Sequence, residues 1–411
     1  MQNYITRDVE AEIEKWLNDR EIILMRGTRQ SGKTTLLMRI REKLLENGTD
    51  ERNISFVTFE DDVERIKFEK NPKEYIAFRI RAGRTWFLLD EVQYVTDIGK
   101  KLKLLFDLFP DAKFIATGSS SFDLTTLGKF LVGRVVFIDV PPFSFTEFLR
   151  AVSPDYERKL NELRVNLHKS KVPNESVFLP DLNGFLTEYI TYGAYPRVVL
   201  EQDRSKKKDL LKALFATYVE KDVVSLYGNR YRDSAIRLLK TLAAAVGGPI
   251  KYETLCQQSG LKYNEVKTLL PLMEDSFVIR IVPPFHGNLV TELRKNPKIY
   301  FIDCGTRNYL MENFETPDFG ALYENFACNA LSKYGRLRYW RTTGGAEMDF
   351  VIGDPGSIIG IEIKKAGRTS RSLTSFIENH KPKTVFIASK DEMSVREISG
   401  CMVFTVPLAY L

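Results

Sequence analysis

The sequence predicts an α/β protein with a parallel sheet in its first 142 residues, a mainly helical stretch after it, and a second α/β region at the C-terminus. Three observations predict this. Short apolar runs at 21–25, 54–60, 85–91, 113–121 and 135–140 alternate with segments of helical periodicity, and strands separated by helices build parallel sheets. From 143 to about 230 the periodicity is helical and the strand pattern is absent. Beyond 299, strand signals return at Glu347–Ile352 and 358–365. A chain of 411 residues exceeds what one core usually holds, and the changes of pattern place boundaries giving segments 1–142, 143–230, 231–298 and 299–411.

Residues 1 to about 20 read as a lead-in helix with Val9, Ile13 and Trp16 on one face. The strand at 21–25 then runs into Gly27-Thr28-Arg29-Gln30-Ser31-Gly32-Lys33-Thr34, which fits the phosphate-binding P-loop pattern G-x-x-x-x-G-K-[ST], and a helical stretch follows from Thr35. The context is the required one: strand, loop, helix. Gly27 and Gly32 allow torsions and close approaches that a side chain would block, so successive N–H groups can converge on phosphate oxygens at the positive end of a helix. Residues Gly27 to Thr35 are therefore expected to bind ATP or ADP, with Lys33 reaching the β- and γ-phosphates and Thr34 holding Mg²⁺.

The run at 85–91, TWFLLDE, is an apolar strand ending in two carboxylates, as the Walker B strand of an ATPase does. Asp90 is expected in the Mg²⁺ shell and Glu91 beside the attacking water. Glu60, Asp61 and Asp62, after the second strand, read as a solvated turn. A helix carrying Leu102, Leu105, Phe106 and Phe109 ends at Pro110, and the strand KFIATGSSS follows. Ligands of open α/β sheets bind beyond the carboxyl ends of the strands, which puts Ser119 or Ser120 where the γ-phosphate is sensed. Arg134, before the fifth strand, is placed to supply charge to the transition state. Action in trans would imply a homo-oligomer; action in cis is equally open.

Strand, P-loop, DE-ended strand, TGSSS strand, Gly133-Arg134 and a fifth strand running into PPFSFTEFL follow in an order that resembles archaeal and bacterial AAA-type ATPases. More narrowly, with Gly193-Ala194-Tyr195-Pro196, YVEKD at 218–222 and Glu324-Asn325-Phe326, it resembles those whose C-terminal domain is uncharacterised and related to PD-(D/E)XK nucleases. The resemblance spans nearly the whole chain. It implies a P-loop AAA-type parallel sheet with a helical lid, a winged-helix module and a C-terminal restriction-endonuclease-like α/β domain. In relatives the Gly-Pro turn brings the lid to the nucleotide, commonly through two glycines; Ala194 stands in place of one of them. The stretch 151–171 reads as a charged insert, and Arg204, Lys206, Lys207 and Lys208 form a basic run.

From 233 to about 284, helices at 235–246, Tyr252–Ser259 and 263–274 precede a strand at 277–282, with Gly260 breaking the chain between the second and third helices. This is the order of a winged helix. Its third helix, with Asn264, Glu265 and Lys267, is not notably basic, so the module suits protein packing as well as DNA.

The C-terminal segment carries ordered carboxylates: Glu324 on an amphipathic helix, Asp349 in EMDFVI, and Glu362 with Lys364 on one face of the next strand. A metal-dependent phosphodiesterase needs such a set. Glu324, Asp349 and Glu362 would hold Mg²⁺ and Lys364 would position water, although no proline precedes Asp349. Lys365, Arg368 and Arg371 would make the edge basic.

The four cysteines are scattered without a C-x-x-C pair and the three histidines are isolated, which argues against zinc sites, disulfides and histidine acid–base chemistry. No apolar run approaches the roughly 18 residues of a membrane span, so a cytoplasmic protein with no membrane partner is expected. The net charge of +6 permits a local basic surface for DNA. Two functions follow as expectations: an ATPase coupled to DNA processing, or a regulatory ATPase switch whose C-terminal domain is a non-catalytic partner- or DNA-binding scaffold.

Overall fold

Ile22, Ile23, Leu24 and Met25 are all sealed from solvent, as a strand covered on both faces requires. The structure, a computed structural model, describes residues 4–119, 130–163, 167, 177–224, 228–285, 296–315, 319–354, 356–365 and 370–411. Its contacts form two units, residues 1–142 with 275–277, and residues 143–274 with 278–411.

In the first unit, β1 (Ile22–Gly27), β2 (Ile54–Thr58), β3 (Thr85–Asp90), β4 (Ala112–Ser119) and β5 (Val135–Asp139) form a five-stranded parallel sheet in the order β2-β3-β4-β1-β5. Alternation along β1 feeds two cores. Ile22 and Leu24 pack with Phe87, Leu89, Phe114 and the Leu102, Leu105 and Phe106 face of one helix; Ile23 and Met25 pack with Leu88, Ile115, Ile138 and the Leu36, Leu37, Ile40 and Leu44 face of another. The helices of this unit are α1 (Glu10–Leu17), α2 (Lys33–Glu46), α3 (Asp62–Lys70), α4 (Pro72–Ala77) and α5 (Ile98–Leu108). Lys113 is wholly buried, and its ammonium donates to the carbonyls of Trp16 at 2.7 Å, Asp19 at 2.9 Å and Glu21 at 2.6 Å, closing the chain between α1 and β1.

The second unit opens with α6 (Phe145–Val152), set by a capping box in which Ser144 and Glu147 exchange side-chain and backbone hydrogen bonds. The charged stretch expected as an insert after Ala151 contains α7 (Pro154–Leu163), an amphipathic helix anchored by buried Leu160. Next come α8 (Leu179–Tyr192), α9 (Pro196–Val199) and α10 (Arg204–Tyr218). A module follows of α11 (Arg232–Ala244), α12 (Tyr252–Ser259), α13 (Tyr263–Asp275) and the antiparallel pair β6 (Ile279–Val282) and β7 (Lys298–Phe301), with a bridge from Pro249 to Lys298.

α14 (Cys304–Leu310) and α15 (Phe319–Leu331) then lead into a six-stranded mixed sheet. Its strands are β8 (Arg338–Arg341), β9 (Glu347–Ile352), β10 (Ile359–Ile363), β11 (Thr384–Ser389), β12 (Ser394–Ile398) and β13 (Cys401–Pro407), in the order β12-β13-β11-β10-β9-β8. α16 (Arg371–His380) places Leu373, Phe376 and Ile377 in the core with Met348, Val385 and Val403. No helix among the described residues is long and apolar enough to cross a membrane.

Candidate nucleotide site and the C-terminal acid cluster

β1 delivers the glycine-rich loop to the carboxyl edge of the sheet, where Gly27 pairs with Ser119 of β4. A Cβ on Gly27 would run into the carbonyl of Val140, so glycine is needed there for the close passage of the chain after β5. Gly32 has φ +95°, the left-handed conformation that turns the loop into α2. Arg7, which the sequence does not mark, clamps the loop from outside: Nη1 donates to the Ser31 carbonyl at 2.8 Å and Nη2 to the Pro141 carbonyl at 2.7 Å.

Lys33 is buried, its ammonium donating to the carbonyls of Gly27 at 3.0 Å and Thr28 at 2.8 Å. Thr34 Oγ1 lies 3.1 Å from both carboxylate oxygens of Asp90. Burial raises the Asp90 pKa above the ordinary carboxylate value, opposed by a hydrogen bond from Thr117 and supported by the charge of Glu91. Thr117 is a second residue missed at the sequence level: its hydroxyl donates to Asp90 Oδ1 at 2.5 Å and accepts the Glu91 N–H at 3.0 Å. The one available signal was the strand alternation through Ala116-Thr117-Gly118. Glu91 is held at φ +55°, sparsely populated for a non-glycine residue, and its Oε2 accepts from Gln93.

These residues fit a nucleotide and its magnesium ion. Thr28 Oγ1 and Ser31 Oγ are buried hydroxyls with no hydrogen-bond partner in the described structure, both in the loop. Thr34 and Asp90 supply adjacent hard oxygen donors of the kind Mg²⁺ prefers. Arg29, Gln30 and Thr35 are partly or fully exposed along the same loop and helix start. Gln30 also has positive φ. Ser119 ends β4 beside Gly27, while Ser120 and Ser121 lie outside the described residues.

Arg134 is not near this edge. It precedes Val135, which pairs with Ile22 at the amino end of β1, so the length of the sheet separates it from Gly27. Its Nε donates to Asp107 Oδ1 at 3.0 Å. The cis alternative for an arginine finger is removed by this register.

In the second unit, the turn Gly193-Ala194 serves an internal contact. The Ala194 N–H donates to Asp303 Oδ1 at 2.6 Å, and a Cβ on Gly193, whose φ is +81°, would collide with the same carboxylate. Asn308 Nδ2 donates to the carbonyls of Ile190 and Thr191 at the end of α8, 2.9 Å each. Asn325 brackets Phe301 of β7, accepting its N–H and donating to its carbonyl at 2.7 Å each. The Ala194 amide, at the position where relatives carry a second glycine, is engaged in this buried hydrogen bond.

Asp349, Glu324 and Glu362 do not form the expected metal set. The ammonium of Lys298, 1% exposed, contacts Glu347 Oε1 and lies 3.8 Å from both Glu324 Oε2 and Asp349 Oδ1. Tyr300 donates to Glu324 Oε2 at 3.1 Å, and the Ile363 N–H donates to Asp349 Oδ2 at 2.7 Å. Glu362 Oε1 is 3.1 Å from Lys364 Nζ and accepts from Ser370 at 2.8 Å, while its buried Oε2 has no partner in the described structure. Among the described residues no three Asp, Glu, His or Cys side chains are arranged to hold a metal ion. Burial, with the charge of Asp349, pushes Glu324 up to about 8, and burial pushes Asp349 up to about 6. For Lys298, burial alone would lower the pKa, but Glu324, Asp349 and Glu347 outweigh it and raise it. Lys365 lies exposed beyond β10, Arg371 begins α16, and Arg368 is outside the described residues. Lys298, Glu347 and Tyr300 were not identified from sequence, because a lysine in Asn-Pro-Lys reads as a solvated loop residue.

Residues 19–149 match the family model described as "AAA domain". Geometry and match together support an ATP-binding P-loop ATPase of the AAA type. Residues 184–317 match "Domain of unknown function (DUF8612)" and residues 319–410 "Domain of unknown function (DUF4143)". An uncharacterized protein of Haemophilus influenzae is 25% identical over 351 residues, covering 83% of this chain and 82% of the relative. Another of Methanocaldococcus jannaschii is 26% identical over 407 residues, covering 94% and 85%. Among solved structures, AMPPCP-bound DnaA from Aquifex aeolicus has a TM-score of 0.30 and 13% identity, covering 65% of this chain and 86% of that one. C. elegans PCH-2 has a TM-score of 0.30 and 13% identity, covering 50% and 59%.

Proposed function

We propose that the chain is a Mg²⁺-dependent ATPase that works as a regulatory switch, with its second unit a non-catalytic scaffold that binds DNA or a protein partner. The observation that carries the ATPase reading is the meeting of Thr34 with Asp90 next to the buried Lys33 ammonium.

The roles follow from charge and reach. Lys33, released from the loop carbonyls, neutralises the terminal phosphates, and the hydroxyls of Thr28 and Ser31 donate to phosphate oxygens. Thr34 and Asp90 would hold the Mg²⁺ shell, where the ion when bound would supply positive charge beside the phosphates. Glu91, on its strained backbone, orients the attacking water and takes up its proton. Arg134 supplies charge to the site of a neighbouring copy, which makes the active form a homo-oligomer.

DNA is the partner favoured by α11–α13 with the β6–β7 pair and the Pro249–Lys298 bridge, an order that supports the winged-helix reading. The exposed side of α13 offers Asn264, Lys267 and Thr268. The test is twofold. ATP binding and hydrolysis should be lost in Lys33→Ala and Asp90→Asn. Duplex DNA followed by fluorescence anisotropy should bind in a salt-dependent way and weaken in Lys267→Glu. An intact ATPase without DNA binding would assign the scaffold to a protein partner.

A further inference from the structure

From the geometry of the acid cluster we infer that Lys298 is its resident cation: the ammonium takes the place a divalent metal would need, so the C-terminal region keeps a nuclease-like order of acids without a metal site. This inference is independent of the ATPase reading.

Glu324 comes from α15, Glu347 and Asp349 from β9, and Lys298 enters between them from β7. Lys298 is pinned by pairing with Val282 on one side and bridging to Pro249 on the other, and its side chain is closed off from water. Divalent ions bind carboxylate oxygens at about 2.0–2.6 Å. No such ion can sit among Glu324, Glu347 and Asp349 while an ammonium lies against Glu347 and 3.8 Å from each of the other two. The remaining donors reinforce the closure, because the Tyr300 hydroxyl and the Ile363 amide each engage an oxygen that a metal would use. Buried carboxylates need a partner cation, and here the chain carries its own.

Lys298→Ala removes the buried ammonium and leaves three carboxylates whose one remaining cationic neighbour among the described residues is the half-exposed Arg341, 3.6 Å from Glu347 Oε2, a set with the composition of a hard-metal site. The test titrates Mn²⁺ without nucleotide into full-length protein carrying Asp90→Asn, so that the nucleotide site contributes no metal ligand pair. The expected result is that this protein and its Asp349→Asn derivative bind Mn²⁺ identically by electron paramagnetic resonance, and that adding Lys298→Ala creates a Mn²⁺-dependent rise in Tm that Asp349→Asn abolishes. If the Lys298 variant does not fold without metal, refolding it in Mn²⁺ gives the same readout, and recovery supports the inference. A Mn²⁺ site present with Lys298 intact and lost in Asp349→Asn would overturn it. So would a Lys298→Ala protein that folds and shows no Mn²⁺ dependence. Neither outcome bears on ATP hydrolysis, which is measured separately in protein with Asp90 intact.

Discussion

Thr117 joins the two acids at the end of β3: its hydroxyl donates to Asp90 Oδ1 at 2.5 Å and accepts the Glu91 amide at 3.0 Å. One side chain thereby fixes the rotamer of the acid beside Thr34 and the left-handed backbone of the acid that follows.

Replacing Thr117 with valine keeps the shape and removes both bonds. The Glu91 N–H loses its acceptor, at about 1–3 kcal/mol for a group left unpaired, while Asp90 Oδ1 keeps Thr34 Oγ1 at 3.1 Å. The expected outcome is a lower Tm and a fall in kcat larger than the change in ATP affinity. Unchanged kcat in a folded Thr117→Val protein would show that the link is not used in turnover.

Within the second unit, Gly193 lies against the Asp303 carboxylate and Asn325 is bonded to Phe301 of β7. Gly193→Ala forces a Cβ into the Asp303 carboxylate at a positive φ, and Asn325→Leu takes the acceptor from the Phe301 N–H and leaves the Phe301 carbonyl with Asn329 Nδ2, at 3.0 Å, as its remaining side-chain donor. Asn325→Leu should cost about 1–3 kcal/mol for the Phe301 N–H left without its acceptor. Differential scanning calorimetry is expected to show the transition of this unit lowered in both variants. A loss of ATP binding with the thermal transitions unmoved would instead return the Gly193-Ala194 turn to the nucleotide.

Glu324 gives the cluster around Lys298 a definite pH dependence. Its folded pKa is raised to about 8, against about 4.3 for an exposed glutamate. The folded chain therefore binds more protons over this window, and stability falls as pH rises from about 4.3 to about 8, flattening above. Glu324→Gln resembles the protonated acid, so its stability relative to the parent should climb between pH 5 and 8. Urea unfolding at several pH values measures this; a flat difference would place the ionised form of Glu324 in the folded protein throughout.

Arg134 stands at the amino end of β5, beyond reach of its own loop. For an arginine acting in trans, the specific ATPase rate should increase with protein concentration, and Arg134→Ala should remove that increase while leaving nucleotide affinity intact. Its contact with Asp107 is partly exposed and contributes little to stability. Rates independent of both concentration and Arg134 would refute the trans role.

Local pattern carried much of the fold. β9 matches its sequence-read run from Glu347 to Ile352, and α12 its run from Tyr252 to Ser259, because buried strands and amphipathic helices are written in short periods. The Lys33, Thr34 and Asp90 grouping was legible for a related reason: loop and strand motifs fix position on a parallel sheet. Lys298 was not. Its pairing with Glu324 and Asp349 joins residues 26 and 51 positions apart in sequence, and an isolated lysine carries no local sign that it will be buried. Arg7 and Thr117 were hidden likewise, since their partners Ser31, Pro141 and Asp90 meet them only after the sheet has formed.

The most direct test of the ATPase switch compares ATP binding and steady-state hydrolysis in the wild-type chain and in Glu91→Gln. The prediction is that both bind ATP with Mg²⁺, that the wild type turns it over, and that Glu91→Gln loses turnover by about 100-fold or more, the scale of a positioned proton acceptor. Hydrolysis in Glu91→Gln at the wild-type rate, or a wild-type chain that binds no ATP, would contradict the account.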